Sequence, residues 1–201
     1  MKHLIKNLIA SAILLTACVS ANAQTFLYDG LWFDIESDET CILRSTWIGP
    51  KYSGDIIVPE KAIYDGKEYT VTKTLGAFWR CDELTSVSLP ETITTIGDQS
   101  FENCKKLHTL KIPNSVTYIG SYAFNECNAL TGITIPDGVT VIGRSAFRHC
   151  DNITSVNIPN GIKYIDYATF AGCGKLTSIA LPNSLTYIGE SAFSACRFTS
   201  I

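Results

Sequence analysis

Apolar positions along the chain recur with a fixed period. One unit, read from Ile119 to Val141, runs Ile-Gly-Ser-Tyr-Ala-Phe-Asn-Glu-Cys-Asn-Ala-Leu-Thr-Gly-Ile-Thr-Ile-Pro-Asp-Gly-Val-Thr-Val. Ile133 and Ile135 alternate with Thr134, which predicts a short strand with one buried face. Pro136 lacks an N–H and closes that strand. Ile119, Ala123, Phe124 and Cys127 stand at i, i+4, i+5 and i+8, a spacing that puts all four on one side of a short helical or 3₁₀ segment facing the strand. The same register recurs in Cys81, Cys104, Cys127, Cys150, Cys173 and Cys196, spaced by 23 residues throughout. It recurs again in Phe78, Phe101, Phe124, Phe147, Phe170 and Phe193, in Pro90, Pro113, Pro136, Pro159 and Pro182, and in Ile96, Ile119, Ile142, Ile165 and Ile188. The pattern therefore predicts an α/β repeat solenoid, with one short strand and one short helical or 3₁₀ turn per 23-residue coil. A lone coil has too few apolar side chains to offset its ordering, so neighbouring coils must supply the missing burial.

The array covers residues 73–201, with five full units and one partial. Ahead of it, Asp65-Gly66 between Ala62-Ile63-Tyr64 and Tyr69-Thr70-Val71 is a hairpin signal, and residues 24–72 read as a β-rich N-terminal cap on the first coil. Three departures from the repeat stand out. Lys73-Thr74 replaces Ile-Gly in the first unit. Asp166 replaces Gly and Thr169 replaces Ala in the fifth, which predicts a strained or differently bonded turn. The sixth ends in Cys196-Arg197-Phe198-Thr199-Ser200, with no strand-closing proline and no polar closing coil. An uncapped end exposes apolar surface and a pairing edge, so the chain is expected to be a truncated member or one that caps itself by association.

Residues 1–23 have the form of a secretory signal peptide: Lys2 and Lys6, an apolar run from Leu8 to Leu15, and Ala21-Asn22-Ala23 before Gln24. Leu15-Thr16-Ala17-Cys18 offers an alternative, a lipobox in which Cys18 is acylated and becomes the N-terminus. Either route predicts export, to the extracellular space or the cell surface, with outer-membrane attachment if Cys18 is lipidated. No window reaches the roughly 20 apolar residues of a transmembrane helix.

The whole chain carries 16 basic and 19 acidic side chains, and without Lys2 and Lys6 its net charge is −5. That balance argues against an electrostatic nucleic-acid binder. The cysteines lack the close pairs of a metal site. Stacked coils would place them near disulfide range, while their place at the end of the apolar face suits buried thiols; both readings stand. His108 and His149 occupy different positions on the coil, and no nucleophile elbow, phosphate loop or zinc-hydrolase motif occurs. Neither an enzyme, a cofactor nor a metal is expected.

The unit Ile-Gly-x-x-Ala-Phe-x-x-Cys-x-x-Leu-Thr-x-Ile-x-Ile-Pro-x-x-Val-Thr resembles the BspA-like leucine-rich repeats of bacterial surface proteins. Asp29-Gly30-Leu31-Trp32-Phe33 and Tyr52-Ser53-Gly54-Asp55-Ile56-Ile57-Val58-Pro59 are similar to what that family places at its N-terminus. The resemblance implies a curved solenoid outside the cell and an adhesin-like binding role toward a protein or glycan. The candidate surface is the outward side of the strands: Thr85, Ser86 and Ser88; His108, Thr109 and Lys111; Thr131, Gly132 and Thr134; Thr154, Ser155 and Asn157; Thr177, Ser178 and Ala180. Stacked, these make a hydroxyl-rich sheet on the concave side. The alternative is a structural or assembly protein that associates through its C-terminal coil. Tyr118, Val141, Tyr164 and Tyr187 form a second outward row, whose tyrosines suit contact anchors but are expected to pack against the adjoining turn. Trp32, Trp47 and Trp79 are assigned to the seam between cap and array. The sequon Asn152-Ile153-Thr154 is expected to reflect the repeat, because Ile153 takes an inward position.

Overall fold

The computed structural model describes residues 24–45 and 51–199. The leader, Cys18 and Trp47 lie outside the described residues. The N-terminal strands are β1 (Thr25–Tyr28), β2 (Leu31–Ile35), β3 (Thr40–Arg44), β4 (Gly54–Ile57), β5 (Lys61–Tyr64) and β6 (Lys67–Leu75). β1, β2 and β3 form an antiparallel meander, and β3 then pairs with β6 in parallel. β5 and β6 form the expected hairpin, with Tyr64 opposite Lys67. Its turn residues Asp65 and Gly66 have φ of 50° and 75°, as a two-residue type I′ turn requires.

The repeats contribute nine short strands: β7 (Leu84–Ser88), β8 (Thr95–Ile96), β9 (Thr109–Leu110), β10 (Tyr118–Ile119), β11 (Val141–Ile142), β12 (Ser155–Asn157), β13 (Tyr164–Ile165), β14 (Ser178–Ala180) and β15 (Tyr187–Ile188). All pair in parallel with the equivalent strand of a neighbouring repeat. One ladder runs β4-β7-β9, then β12-β14, with a single bridge at Ile133 and Val156. A second runs β6-β8-β10-β11, then β13-β15. The N-terminal strands enter both ladders, β4 through β7 and β6 through β8.

The expected helical or 3₁₀ segment is absent: the described residues contain no helix, and each repeat has a second strand followed by a run of tight turns. The hydrogen bonds give the reason. Between Gly97 and Cys104, the amides of Ser100, Glu102 and Cys104 close local i→i−3 turns at 3.2–3.4 Å. Those of Gln99, Phe101 and Asn103 donate to Ser121, Ala123 and Asn125 of the next repeat at 2.7–2.9 Å. A helix would satisfy its amides within itself; here every second one is exported, and the exported bonds are shorter than the local ones. The geometry demands left-handed residues at fixed places. Gln99, Tyr122, Ser145, Ala168 and Ser191 all have positive φ, as do Asn103, Glu126, His149, Gly172 and Ala195. With Arg80, ten of the left-handed residues among the described part of the array are not glycine. Such conformations cost roughly 1–3 kcal/mol each and persist only where the surroundings over-determine them.

The core is a column of rings. Phe78, Phe101, Phe124, Phe147 and Phe170 are fully buried, and from Phe78 to Phe193 successive centroids lie 5.1–5.6 Å apart with planes within 16°. An edge-on ring meets the column at each end, Tyr52 against Phe78 and Phe198 against Phe193. Tyr52 thereby joins the N-terminal strands to the array. Trp32 and Trp79 are only half-buried.

Asp166 marks a break. At its register position Gly120, Gly143 and Gly189 donate their amides to Ile96, Ile119 and Ile165 at 2.7–2.9 Å. A Cβ on Gly143 would stand 2.6 Å from the Ser121 nitrogen and 2.7 Å from the Gly120 carbonyl carbon, so the close approach needs glycine. Where Asp166 supplies a Cβ, the ladder between β11 and β13 is missing, and the Asp166 carboxylate instead accepts from the Tyr167 amide at 2.6 Å. Gly143→Ala is expected to cost about 1–3 kcal/mol, as overpacking does. Gly138→Ala, whose nearest neighbour would be at 3.6 Å, should leave the denaturation midpoint almost unchanged; urea unfolding of the two variants checks both.

Candidate functional site

Outward residues of the first ladder form rows across the repeats. Ser86 pairs with Thr109, Ser155 with Ser178 and Asn157 with Ala180. Ser88, His108, Thr109, Lys111, Thr131, Thr134, Thr154, Ser155, Asn157, Thr177 and Ser178 are exposed, and Ser86 is half-buried. Beneath them Val87, Leu110, Ile133, Val156 and Ile179 fill the core, because alternation sends successive side chains to opposite faces.

The row continues one strand further toward the N-terminus than the repeat count suggests. Asp55 on β4 accepts from Thr85 Oγ1 at 2.7 Å and Ser86 Oγ at 2.6 Å. The Ser86 and Thr85 hydrogen bonds lower the Asp55 pKa, with a smaller contribution from His108. The signal was present in Ile56-Ile57-Val58-Pro59: Ile57 lies opposite Ser88, so Pro59 plays the part of Pro90.

Midway along this face the ladder opens. Among the described residues, no backbone hydrogen bond joins Thr109–Lys111 to Gly132–Thr134. The strand expected at Ile133–Ile135 is reduced to one bridge, Ile133 with Val156. Gly132 stands in the row of Ser86, Thr109, Ser155 and Ser178 and leaves a notch, with no atom within 4 Å of where a Cβ would project. Asn157 ties the loosened segment down: its Oδ1 accepts from the Ile135 amide at 3.0 Å and its Nδ2 donates to the Ile135 carbonyl at 2.8 Å. Around the gap lies an open groove of about 1020 Å³, lined among others by Leu110, Lys111, Gly132, Thr134, Asn157 and Ser178. The Lys111 ammonium sits at its rim, 79% exposed and 3.7 Å from the Glu91 carboxylate. Unpaired backbone groups, hydroxyls and one cation suit a ligand rich in hydrogen-bonding groups, held at many weak points.

The cysteines lie elsewhere and do something else. All seven described are free thiols. Cys104, Cys127, Cys150, Cys173 and Cys196 donate Sγ–H to the carbonyls of Phe78, Phe101, Phe124, Phe147 and Phe170, each in the preceding repeat, at 3.0–3.2 Å. Burial pushes the Cys173 thiol up to about 12 and those of Cys127 and Cys150 well above the ordinary range. Among the described residues, no three His, Cys, Asp or Glu side chains could hold a metal ion. His108 Nδ1 faces the Lys106 carbonyl at 3.1 Å, and His149 lies 3.9 Å from Asp151. Asn152 spends its amide on the Asn128 carbonyl, and Ile153 is fully buried. Because the thiolate is the reactive form, alkylation of the native protein near neutral pH is expected to label Cys196, half-buried in the last repeat, before Cys127 and Cys150. Mass spectrometry of timed samples checks the order, and early labelling of Cys127 would contradict the buried ladder.

A family model described as the BspA type leucine rich repeat region matches residues 74–200 in six copies. The comparison with curated proteins found no match. Among solved structures, a leucine rich cell surface protein from Faecalibacterium prausnitzii A2-165 aligns with a TM-score of 0.78 at 30% identity, covering 91% of this chain and 49% of that one. A leucine rich repeat protein from T. pallidum gives 0.64 at 25% identity, covering 92% of both chains. One from Bacteroides ovatus gives 0.60 at 25% identity, covering 88% of this chain and 58% of that one. The chain thus spans about half the length of the Faecalibacterium protein.

Proposed function

The chain belongs to the BspA-type leucine-rich repeat family, and from that premise we propose that it is an exported, non-enzymatic binding module whose coils form one continuous solenoid. Residues 1–23 direct export, residues 24–72 cap the first coil, and residues 73–201 carry recognition. The ligand is an extracellular protein or glycan, bound in an adhesin-like manner on the strand face. One observation carries this reading: the groove over Gly132, where an exposed hydroxyl-rich sheet leaves its own backbone unpaired. A fully paired sheet of threonine and serine presents only side chains. An interrupted one adds N–H and C=O groups at fixed positions, and these are obligatory hydrogen-bonding groups. The repeat family and the cell-surface description of the Faecalibacterium protein support placement outside the cell.

Thr109→Glu, Thr131→Glu and Thr154→Glu together are expected to weaken binding of the labelled protein to an array of glycans and matrix proteins by at least about tenfold, the scale of one lost anchor. Their side chains are exposed, so the fold should survive. Unchanged binding would remove the strand face from the account. Mass spectrometry of the secreted protein is expected to show a chain beginning at Gln24, or at an acylated Cys18; an intact leader would contradict export.

A further inference from the structure

The second ladder presents a different surface. Tyr118, Tyr164 and Tyr187 share one register position, Tyr118 opposite Val141 and Tyr164 opposite Tyr187. They are 37%, 43% and 61% exposed, and Tyr167 beside them is 44% exposed. Packing against the adjoining turn, the sequence expectation, does not cover them. Tyr118, Tyr164 and Tyr187 therefore form one row along the array, and Tyr167 is exposed three residues after Tyr164. Arg144 stands between a ring of the preceding repeat and a ring of the following one, its guanidinium carbon 5.7 Å from the Tyr122 centroid and 5.5 Å from that of Tyr167. This holds the cation and both aromatic faces in place before any partner arrives.

Along the other edge runs a row of hydroxyls. Thr94, Thr117, Thr140 and Thr186 donate Oγ1–H back to the carbonyls of Thr72, Thr94, Thr117 and Lys163 at 2.8–3.4 Å. With each proton committed inward, the oxygens are left as outward acceptors. The flanking charges are Arg144 and Lys163 against Asp98, Asp166 and Glu190, a surplus of one negative charge.

We infer that this strip is a binding surface for a neutral polysaccharide chain lying along the stacking direction. A pyranose ring has an apolar face of C–H bonds and a rim of hydroxyls. The face stacks on an exposed tyrosine, the hydroxyls donate to the threonine oxygens, and Arg144 donates to ring or glycosidic oxygens. A polyanion finds no positive surplus to attract it. A protein partner would want a contiguous apolar core, which the threonine row interrupts. Tyr118 to Tyr187 spans three coil spacings, roughly 14 Å at ~4.8 Å each, so the ligand is an oligomer rather than a single sugar. This surface is distinct from the strand face and does not rest on the reading given for it.

Isothermal titration of the mature chain with cellohexaose and chitohexaose tests the inference, with a heparin hexasaccharide for comparison. Saturable binding to a neutral hexasaccharide is expected, insensitive to added salt. Combining Tyr164→Ala with Tyr167→Ala should weaken it on the order of tenfold or more, while Asp38→Ala, exposed in the turn between β2 and β3, leaves it unchanged. Ring-proton shifts of Tyr118, Tyr164 and Tyr167 on titrating the unaltered protein give a readout independent of the variants' folding. Failure to bind either neutral hexasaccharide, preference for heparin, equal affinity for the monosaccharide, or retained affinity in the double variant would each overturn it.

Discussion

Every second amide in the connecting turns points out of its own repeat and into the next. From this follows most of what is particular about the molecule. A coil taken alone would leave these donors without partners and would hold residues such as Tyr122 and Glu126 in the left-handed region with nothing to offset the strain. Stacked, the same coil satisfies its donors at 2.7–3.0 Å over all five repeat junctions from Phe78 to Phe170. The phenylalanine column and the thiol bonds to phenylalanine carbonyls act at the same junctions. Stability therefore resides between repeats, as expected for a quasi-one-dimensional protein.

Because the core column passes through every junction, the two surface ladders can be interrupted without dividing the array. On the strand face the interruption lies between Leu110 and Ile133; on the second ladder it lies between Ile142 and Ile165. Phe101, Phe124, Phe147 and Phe170 remain stacked through both, at 5.2–5.4 Å. The outward positions are thus free to vary. Gly132 opens a notch, Asn157 replaces a missing backbone pair with a side-chain one, and tyrosines take a row where the first unit has Thr95. These outward positions vary from coil to coil, while the apolar ladders keep the frame constant.

The period, the inward residues and the outward rows were all legible in the sequence, because a 23-residue spacing of Phe and Cys admits one stacking register. The nature of the turn was not. Ile119, Ala123, Phe124 and Cys127 fall on one side of a helix and equally on one side of a run of turns, and apolar spacing cannot tell local hydrogen bonds from exported ones. Glycine, the usual sign of positive φ, occupies the two left-handed register positions only at Gly76 and Gly172. The departure at Asp166 was visible and has its effect in a lost ladder. Gly132 was visible as a residue, but its consequence depends on the neighbouring strands, as does the exposure of the tyrosine row. Cys41 in β3 stands outside the repeat, and only its surroundings show it to be a buried thiol raised to about 12 by burial and by Glu36.

Amide hydrogen exchange resolved by residue tests the central claim most directly, since protection reports the free energy of opening each hydrogen bond. The account predicts that the amides of Phe101, Phe124, Phe147 and Phe170, all donated to the following repeat, exchange only by global unfolding. Those of Gly132–Thr134 and Asp166, at the two interruptions, should exchange far faster. Rapid exchange at the phenylalanines, or uniform protection through both interruptions, would contradict it.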